Sequence, residues 1–283
     1  MSKQTTYDKV EILDVSIDVL YLEEAINYIT QKAADRGSAP AYIVKPYVEF
    51  LTAAAKKPEL AALLNNAELA VADGIAILWA AHYLYAGPRT AWRFWRTLGQ
   101  IVLAPKVLTW PIAERAAGTN FTWPLLQAAA ASHLKVFLIG KSDAAGIELV
   151  AATIRQTIPD INIVGTAAGH DPGSKYGKVS PDWVETIATR IQNAKPDLIL
   201  VGMGFPLQEQ VCAELCAKTS HGVFIGEGGT FDYESFGGER RKAPATIQRI
   251  GLEWLWRLIG EPKRFHRQLA IPRFIYLIWR SRR

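Results

Sequence analysis

The sequence predicts an α/β fold: a Rossmann-like layered sheet, parallel or mixed, with helices on both faces, followed by a basic amphipathic helical appendage. Apolar runs end in glycine and lead into helix-like segments, as at 136–140 before 144–157 and at 198–202 before 208–218. This alternation is typical of parallel βαβ units. Shorter apolar runs, which indicate further buried strands, lie at 41–44, 69–72, 161–164 and 223–225.

Length and composition bound the class of protein. A chain of 283 residues, 49% of them hydrophobic, can form one large α/β domain or two packed lobes. Its two cysteines are four residues apart in a helix-like segment, which indicates a reducing compartment. The amino-terminal segment lacks a signal-peptide pattern, and no uncharged apolar run reaches about eighteen residues. We therefore expect a cytoplasmic protein without a spanning helix.

Charge separates a body, residues 1–238, from an appendage, residues 239–283. The appendage has twelve Lys/Arg against three Glu, a net charge of +9, whereas the whole chain carries +5 and the body therefore −4. Anionic lipid, nucleic acid or a pyrophosphate would each be attracted. Phe274, Ile278 and other apolar residues at helical spacing favour an anionic bilayer over docking on the body, and disfavour nucleic acid.

A second unusual segment lies at about 88–111. It places Trp92, Trp95 and Trp110 among arginines such as Arg89 and Arg93. This mixture suits a membrane interface, where amphipathic rings and cations both find partners. A core helix that happens to be aromatic explains it equally well.

Asp73 is the first candidate for catalysis. It directly follows an apolar run and precedes Gly74, a common position for a general acid or base at the end of a parallel strand. Alternatively, its carboxylate caps the helix that starts near Ile75.

One glycine-rich turn joins a strand to a helix at 202–208. Gly202 and Gly204 permit close approach of a phosphate, and Gln208 follows at the helix start. Leu207 stands where a dinucleotide fingerprint has its third glycine, so a nucleotide diphosphate is favoured over a dinucleotide cofactor.

Other strand ends carry the same signal. Gly140 ends one run, and Gly226 and Gly228 open a turn that leads to Asp232. A nucleotide could lie against these glycines, or the chain could simply turn tightly there. The five histidines show no metal-ligand spacing and no D-x-D pair occurs, so we expect no metal.

Several of these motifs, in order, resemble the WecG/TagA/CpsF family of inverting glycosyltransferases. The resemblance runs from about residue 10 to about residue 275. It is carried by Ala72-Asp-Gly74 with Ile77-Leu-Trp79, Arg115-Ala-Ala-Gly118-Thr119, Gly202-Met-Gly-Phe-Pro-Leu-Gln-Glu209, Phe231-Asp232, Arg241-Lys-Ala-Pro244, Gly251-Leu-Glu-Trp254 and Glu261-Pro262.

The resemblance implies transfer of a sugar, commonly an N-acetylhexosamine, from a UDP-sugar to a polyprenyl-diphosphate-linked sugar in cell-surface polysaccharide synthesis. It implies inversion with Asp73 as base, no metal or other cofactor, a peripheral position at the cytoplasmic face of the membrane, and a homo-oligomer. Arg257, Arg264 and Arg267 are expected to contact the lipid diphosphate or departing UDP, and Arg115 to join them.

Gly118 and Thr119 match the family pattern, but neighbouring positions depart from it. Lys45 and Tyr47 replace a Thr and an Asn, and Asn120 replaces an acidic residue. Leu207 replaces a lysine, which Lys45 could compensate if it enters the same cleft. The second hypothesis is accordingly a catalytically lapsed, membrane-associated scaffold that still binds a nucleotide-sugar.

Overall fold

The computed structural model describes residues 7–116, 118–141, 143–169, 179–244, 247, 253–260 and 269–281, apart from the side chains of Glu253, Trp254 and Arg257. Its strands are β1 Lys9–Ile12, β2 Val15–Asp18, β3 Ala41–Val44, β4 Leu69–Ala70, β5 Lys135–Gly140, β6 Asn162–Ala168, β7 Leu198–Gly202 and β8 Val223–Gly226. The last six form one parallel sheet in the order β4-β3-β8-β7-β5-β6, and β1 and β2 form a separate antiparallel pair.

Helices cover both faces of the sheet. They are α1 Leu22–Ala34, α2 Val48–Ala54, α3 Pro58–Asn65, α4 Ile75–Tyr85, α5 Ala91–Leu103, α6 Thr119–Ala131, α7 Ala144–Thr157, α8 Pro181–Ala194, α9 Leu207–Lys218, α10 Glu253–Gly260 and α11 Ala270–Arg280. Three short 3₁₀ helices lie at Pro105–Leu108, Thr230–Asp232 and Glu234–Phe236. Side-chain caps begin several helices: Asp143 accepts from the Gly146 N–H before α7, and Ser180 from the Trp183 N–H before α8.

Alternation along each strand divides the apolar residues between two cores. In β5, Phe137 and Ile139 join the core under α2, α4, α8 and α9, whereas Val136 and Leu138 join the core under α1, α6 and α7. This is the period of two expected of a strand buried on both faces. The predicted layered α/β fold is confirmed.

The last helix of the appendage, α11, packs on the body. Phe274 and Ile278 of α11 are fully buried against the body, where α11 packs on α2. Burying side chains of this size stabilises a docked helix by about 1.5–3 kcal/mol each. The apolar face of α11 is thus part of the protein core, whereas Ile259 of α10 is 70% exposed, and contact of the appendage with a bilayer stays a prediction.

Two further predictions from the sequence, a surface loop and the lack of a membrane-spanning helix, can be compared with only part of the chain. The Gly/Pro/Ser-rich segment 171–180, which the sequence predicts to be a surface loop, lies outside the described residues except for 179 and 180. In the described ranges, no helix has both the length and the apolar character needed to cross a bilayer.

Candidate active site

The carboxyl ends of the sheet strands bring most of the predicted site residues to one edge. Lys45 follows β3, Asp73 lies just beyond β4, and Gly226, Gly202 and Gly140 end β8, β7 and β5. Since these strands are parallel neighbours, their ends meet although they are up to 181 residues apart in the chain. This is where open α/β sheets bind ligands.

Backbone hydrogen bonds hold the Asp73 turn between two other segments. The N–H of Asp73 donates to the Pro46 carbonyl at 2.9 Å, and the N–H of Ala116 donates to the Ala72 carbonyl at 2.8 Å. The second bond brings the backbone of Arg115 beside that of Asp73. Gly74, at φ 93°, is the residue that caps α4, so the half-buried Asp73 lies before the helix rather than at its cap position.

The amino end of α6 borders the same edge. Gly118 is its capping residue, at φ 36°, and a Cβ there would lie 4.0 Å from Thr230 Oγ1. Thr119 is buried, and Asn120 accepts a hydrogen bond from Lys242 Nζ at 2.6 Å. A helix start of this kind favours a negatively charged group.

A buried ion pair lies between the ends of β3 and β8. Lys45 Nζ is 2.7 Å from Glu227 Oε2, and the two side chains are only 5% and 0% exposed. Thr122 Oγ1 donates to the same carboxylate oxygen at 2.6 Å, and the ammonium lies 4.8 Å from the centroid of the Phe121 ring. The Lys45 side chain is therefore buried, and its positive charge is neutralised by the carboxylate of Glu227.

Gln208 connects the two glycine-rich turns. Its Oε1 accepts from the N–H of Gly204 at 3.1 Å and of Gly228 at 2.7 Å. Both glycines have positive φ, 81° and 59°, which favours glycine. The Gln208 Nε2 donates to Glu209 Oε1 at 2.7 Å, and burial raises the pKa of Glu209 to about 7.

Three strand-end glycines make room for side chains. A Cβ on Gly140 or Gly202 would lie 2.8 or 2.6 Å from Phe231 Cδ2, and one on Gly226 would lie 2.7 Å from Gln208 Nε2. Such distances are too short for carbon atoms to keep. Close packing therefore requires these glycines whether or not a nucleotide lies over them.

Asp232 is held by two cations. Its carboxylate lies 3.0 Å from Lys141 Nζ and 3.2 Å from Arg240 Nη2, and Arg240 also donates to the Gly229 carbonyl at 3.0 Å. Lys141 and Arg240 had not been singled out from the sequence. Lys141 could have been found, because it follows Gly140 at a predicted strand end.

A cleft of about 500 Å³ opens beside these residues. It is lined by Thr119, Asn120, Trp123, Pro124, Tyr233, Glu234, Ser235 and Lys242. The Trp123 ring stacks on Phe236 with centroids 4.4 Å apart, which fixes an aromatic wall next to polar groups. Hydroxyl, amide and aromatic groups together are suited to a sugar or nucleoside.

Other predicted site residues lie apart from this cleft or outside the described part of the chain. The Tyr47 hydroxyl donates to Glu49, and its ring lies 5.1 Å from that of Phe50. Arg264 and Arg267 are outside the described residues, as is the side chain of Arg257. Within the described residues, no three His, Cys, Asp or Glu side chains come together as a metal site would require.

A sequence model of the glycosyl transferase WecG/TagA/CpsF family matches residues 10–94 and 99–283. The chain belongs to this glycosyltransferase family.

Two curated relatives of this glycosyltransferase are proteins of Staphylococcus aureus, strains MRSA252 and MW2. They are 29% and 28% identical to it over 275 residues, which is 97% of this chain and 94% of each relative. Both are named N-acetylglucosaminyldiphosphoundecaprenol N-acetyl-beta-D-mannosaminyltransferase.

Glu227 is the residue of this glycosyltransferase that sequence reasoning missed most clearly. It lies inside the glycine-rich run that was singled out, but its partner Lys45 is 182 residues away. Because Glu227 Oε1 is buried and has no hydrogen-bond partner within the described residues, the pair has unused acceptor capacity at the strand ends. Only the fold could reveal this.

Proposed function

We propose that this glycosyltransferase moves an N-acetylhexosamine or related sugar from a UDP-sugar to a polyprenyl-diphosphate-linked sugar, with inversion, in cell-surface polysaccharide synthesis. The acceptor class is supported by the names of relatives that match along nearly the whole chain. The observation that carries the proposal is the gathering of Asp73, Arg115 and the glycine-rich turns at one edge of the sheet. Donor and acceptor would meet there.

Asp73 acts as the general base in this proposal. Its carboxylate takes the proton of the acceptor hydroxyl while that oxygen forms a bond to the anomeric carbon. The bond from this carbon to the UDP oxygen breaks in line, and UDP leaves with the electron pair. A single displacement of this kind inverts the configuration, and the half-buried position of Asp73 before α4 supports this role.

Cations offset the charge that develops on the leaving diphosphate. Arg257, Arg264 and Arg267 remain the predicted partners of UDP or the lipid diphosphate. Lys141 and Arg240, which Asp232 holds beside the glycine-rich turn, would add to this stabilisation. We propose that these groups serve in place of a metal ion.

The proposed acceptor also indicates where in the cell the enzyme would work. A polyprenyl chain stays in a bilayer, so the protein would work peripherally, at the cytoplasmic face where UDP-sugars are found. A homo-oligomer remains a prediction of the family resemblance.

The proposal is tested by transfer of radiolabelled sugar from a panel of UDP-sugars to a polyprenyl-diphosphate-linked N-acetylglucosamine. Asp73→Asn should lower kcat by at least about a hundredfold while UDP binding, measured by calorimetry, is retained. The matched control is Asp160→Asn, an exposed carboxylate at the opposite edge of the sheet. Undiminished transfer by Asp73→Asn would exclude this base.

The same assay distinguishes an active enzyme from the alternative, a lapsed scaffold. The alternative is favoured by the fact that Lys45 and Tyr47 are bonded to Glu227 and Glu49 of the protein itself. UDP binding without transfer from any donor, and without hydrolysis, would support the scaffold. Transfer by the unmodified protein would rule it out.

A further inference from the structure

Helix α5 is apolar on two opposite sides. Its inner side is core: Phe94 and Thr97 are buried, and Thr97 Oγ1 accepts from Trp79 Nε1 at 3.1 Å. The buried Arg93 donates to the carbonyls of Tyr83 and His82 at 2.5 and 2.7 Å, at the carboxyl end of α4. The helix is therefore fixed on the body.

Its outer side should be polar if water covered it. Instead, Trp92 is 76% exposed, Trp95 60% and Leu103 86%, with Val102 beside them on one stripe. The exposed residues Val107 and Trp110 follow after the helix, in and beyond the 3₁₀ turn. We call residues Trp92, Trp95, Val102, Leu103, Val107 and Trp110 the outer apolar surface. Contiguous patches of this kind mark an interaction site.

The charged residues of this segment and of α11 have one sign. Arg89, Arg96 and Lys106 are exposed, and residues 86–113 contain no Asp or Glu. Helix α11 lies alongside, because the Trp279 ring lies 4.8 Å from that of Phe94 and 6.0 Å from that of Trp95. It has no acidic residue either and adds the exposed cations Arg273 and Arg280.

We propose that the outer apolar surface docks on an anionic lipid bilayer, with its tryptophans at the level of the headgroups. Indole rings, an aliphatic stripe and cations without carboxylates are the combination that such an interface accepts. A second copy of this chain fits less well, since it would bring Arg89, Arg96 and Lys106 against their own equivalents with no carboxylate to pair them. The inference rests on the proposed use of a lipid-linked acceptor.

The proposed docking surface thus lies on a helix that packs against the body. The apolar face of α11 that the sequence had suggested for a membrane is buried, whereas α5 presents a second face that packing leaves open. On the inner side of α5, the Arg93 guanidinium donates hydrogen bonds to α4 carbonyls. Trp92 and Trp95, on the outer side of the same helix, point away from the core.

The test is flotation of the full chain with vesicles of equal phosphatidylglycerol and phosphatidylcholine, and with phosphatidylcholine alone. The variant Trp92→Gln/Trp95→Gln/Leu103→Gln should lower the partition coefficient on the anionic vesicles at least about tenfold. Leu149→Gln, an exposed leucine on α7 beneath the other sheet face, is the matched control and should bind as the unmodified protein does. Binding should weaken with salt.

Other outcomes overturn the inference. Equal flotation of the triple variant and the unmodified protein would contradict it. It would also be contradicted if analytical ultracentrifugation found the unmodified protein self-associated and the triple variant monomeric. If the triple variant unfolds, Leu103→Gln alone, whose side chain is almost fully exposed, should still lower partition about twofold or more. The vesicles hold no glycolipid, so this result is independent of transfer; a protein that floats but transfers no sugar would contradict the proposed function alone.

Discussion

Removing one member of the Lys45–Glu227 pair should destabilise the protein strongly. Lys45→Met keeps the length of the side chain but leaves the Glu227 carboxylate, 0% exposed, with Thr122 as its remaining hydrogen-bond donor in the described part of the chain. Breaking a buried pair in this way costs about 3–5 kcal/mol. For a chain of this size the melting temperature should fall by about 6–10 °C.

The double variant Lys45→Met/Glu227→Gln provides the decisive comparison. It removes both charges, and the Gln carbonyl can still accept from Thr122. We expect it to recover at least about 2 kcal/mol relative to the sum of the single variants, because no uncompensated charge is left buried. The measurement is urea denaturation followed by the fluorescence of the nine tryptophans.

The matched control is Lys218→Met, which removes one partner of the exposed Lys218–Glu185 pair, whose side chains are 39% and 62% exposed. Exposed pairs contribute about 0–1 kcal/mol. If Lys45→Met cost no more than Lys218→Met, or if the double variant were additive, the pair would not be buried as described and the reasoning would be refuted.

Three further predictions concern single residues. Because burial raises the pKa of Glu209 from 4.5 to about 7, its stabilising contribution is complete below pH 4.5 and is lost as pH rises towards 7. At 1.36 kcal/mol per pH unit this is about 3 kcal/mol, so Glu209→Gln should flatten the stability profile in that range, and an unchanged slope would contradict the assignment. Gly202→Ala should displace Phe231, cost about 1–3 kcal/mol and weaken UDP binding in calorimetry, whereas Gly99→Ala, with open space at its Cβ, should do neither. Arg93→Met should cost about 1–3 kcal/mol by leaving the Tyr83 carbonyl without the Arg93 donor, against about 0.5 kcal/mol or less for the exposed Arg96→Met; equal melting temperatures would argue against the buried role.

The strands of the sheet could be predicted because each is a local pattern. The apolar runs at 41–44 and 198–202 became β3 and β7 with the same bounds, and 136–140 became β5 with one residue added at its start. Their order in the sheet could not be deduced, since β3 pairs with β8, which is far away in the chain. The predicted gathering of site residues at one edge followed from parallel pairing alone.

What the sequence did not reveal depends on long-range contacts. Arg93 and Arg96 each follow a tryptophan in the sequence, but the position of Arg93 on the inner side of α5 takes it to the carbonyl groups of α4. Similarly, Phe274 and Ile278 show the spacing of a surface helix, and only the neighbouring α2 decides that their face is buried. Periodicity reports that a helix has an apolar side, but not what that side meets.

Helix α4 connects the Asp73 turn of the candidate active site with α5, which bears the outer apolar surface. It begins directly after the Asp73 turn and spans 11 residues, a length of about 16 Å, and Arg93 holds α5 to its far end. Trp79 and Tyr83 of α4 contact Thr97 and Phe94 of α5, so the two helices lie side by side. If α5 rests on a bilayer, the distance between their axes, about 8–10 Å for packed helices, contributes to the height of Asp73 above the lipid. The enzyme would then select acceptors by reach: a sugar carried on the diphosphate could meet the base only if its hydroxyl stands at that height.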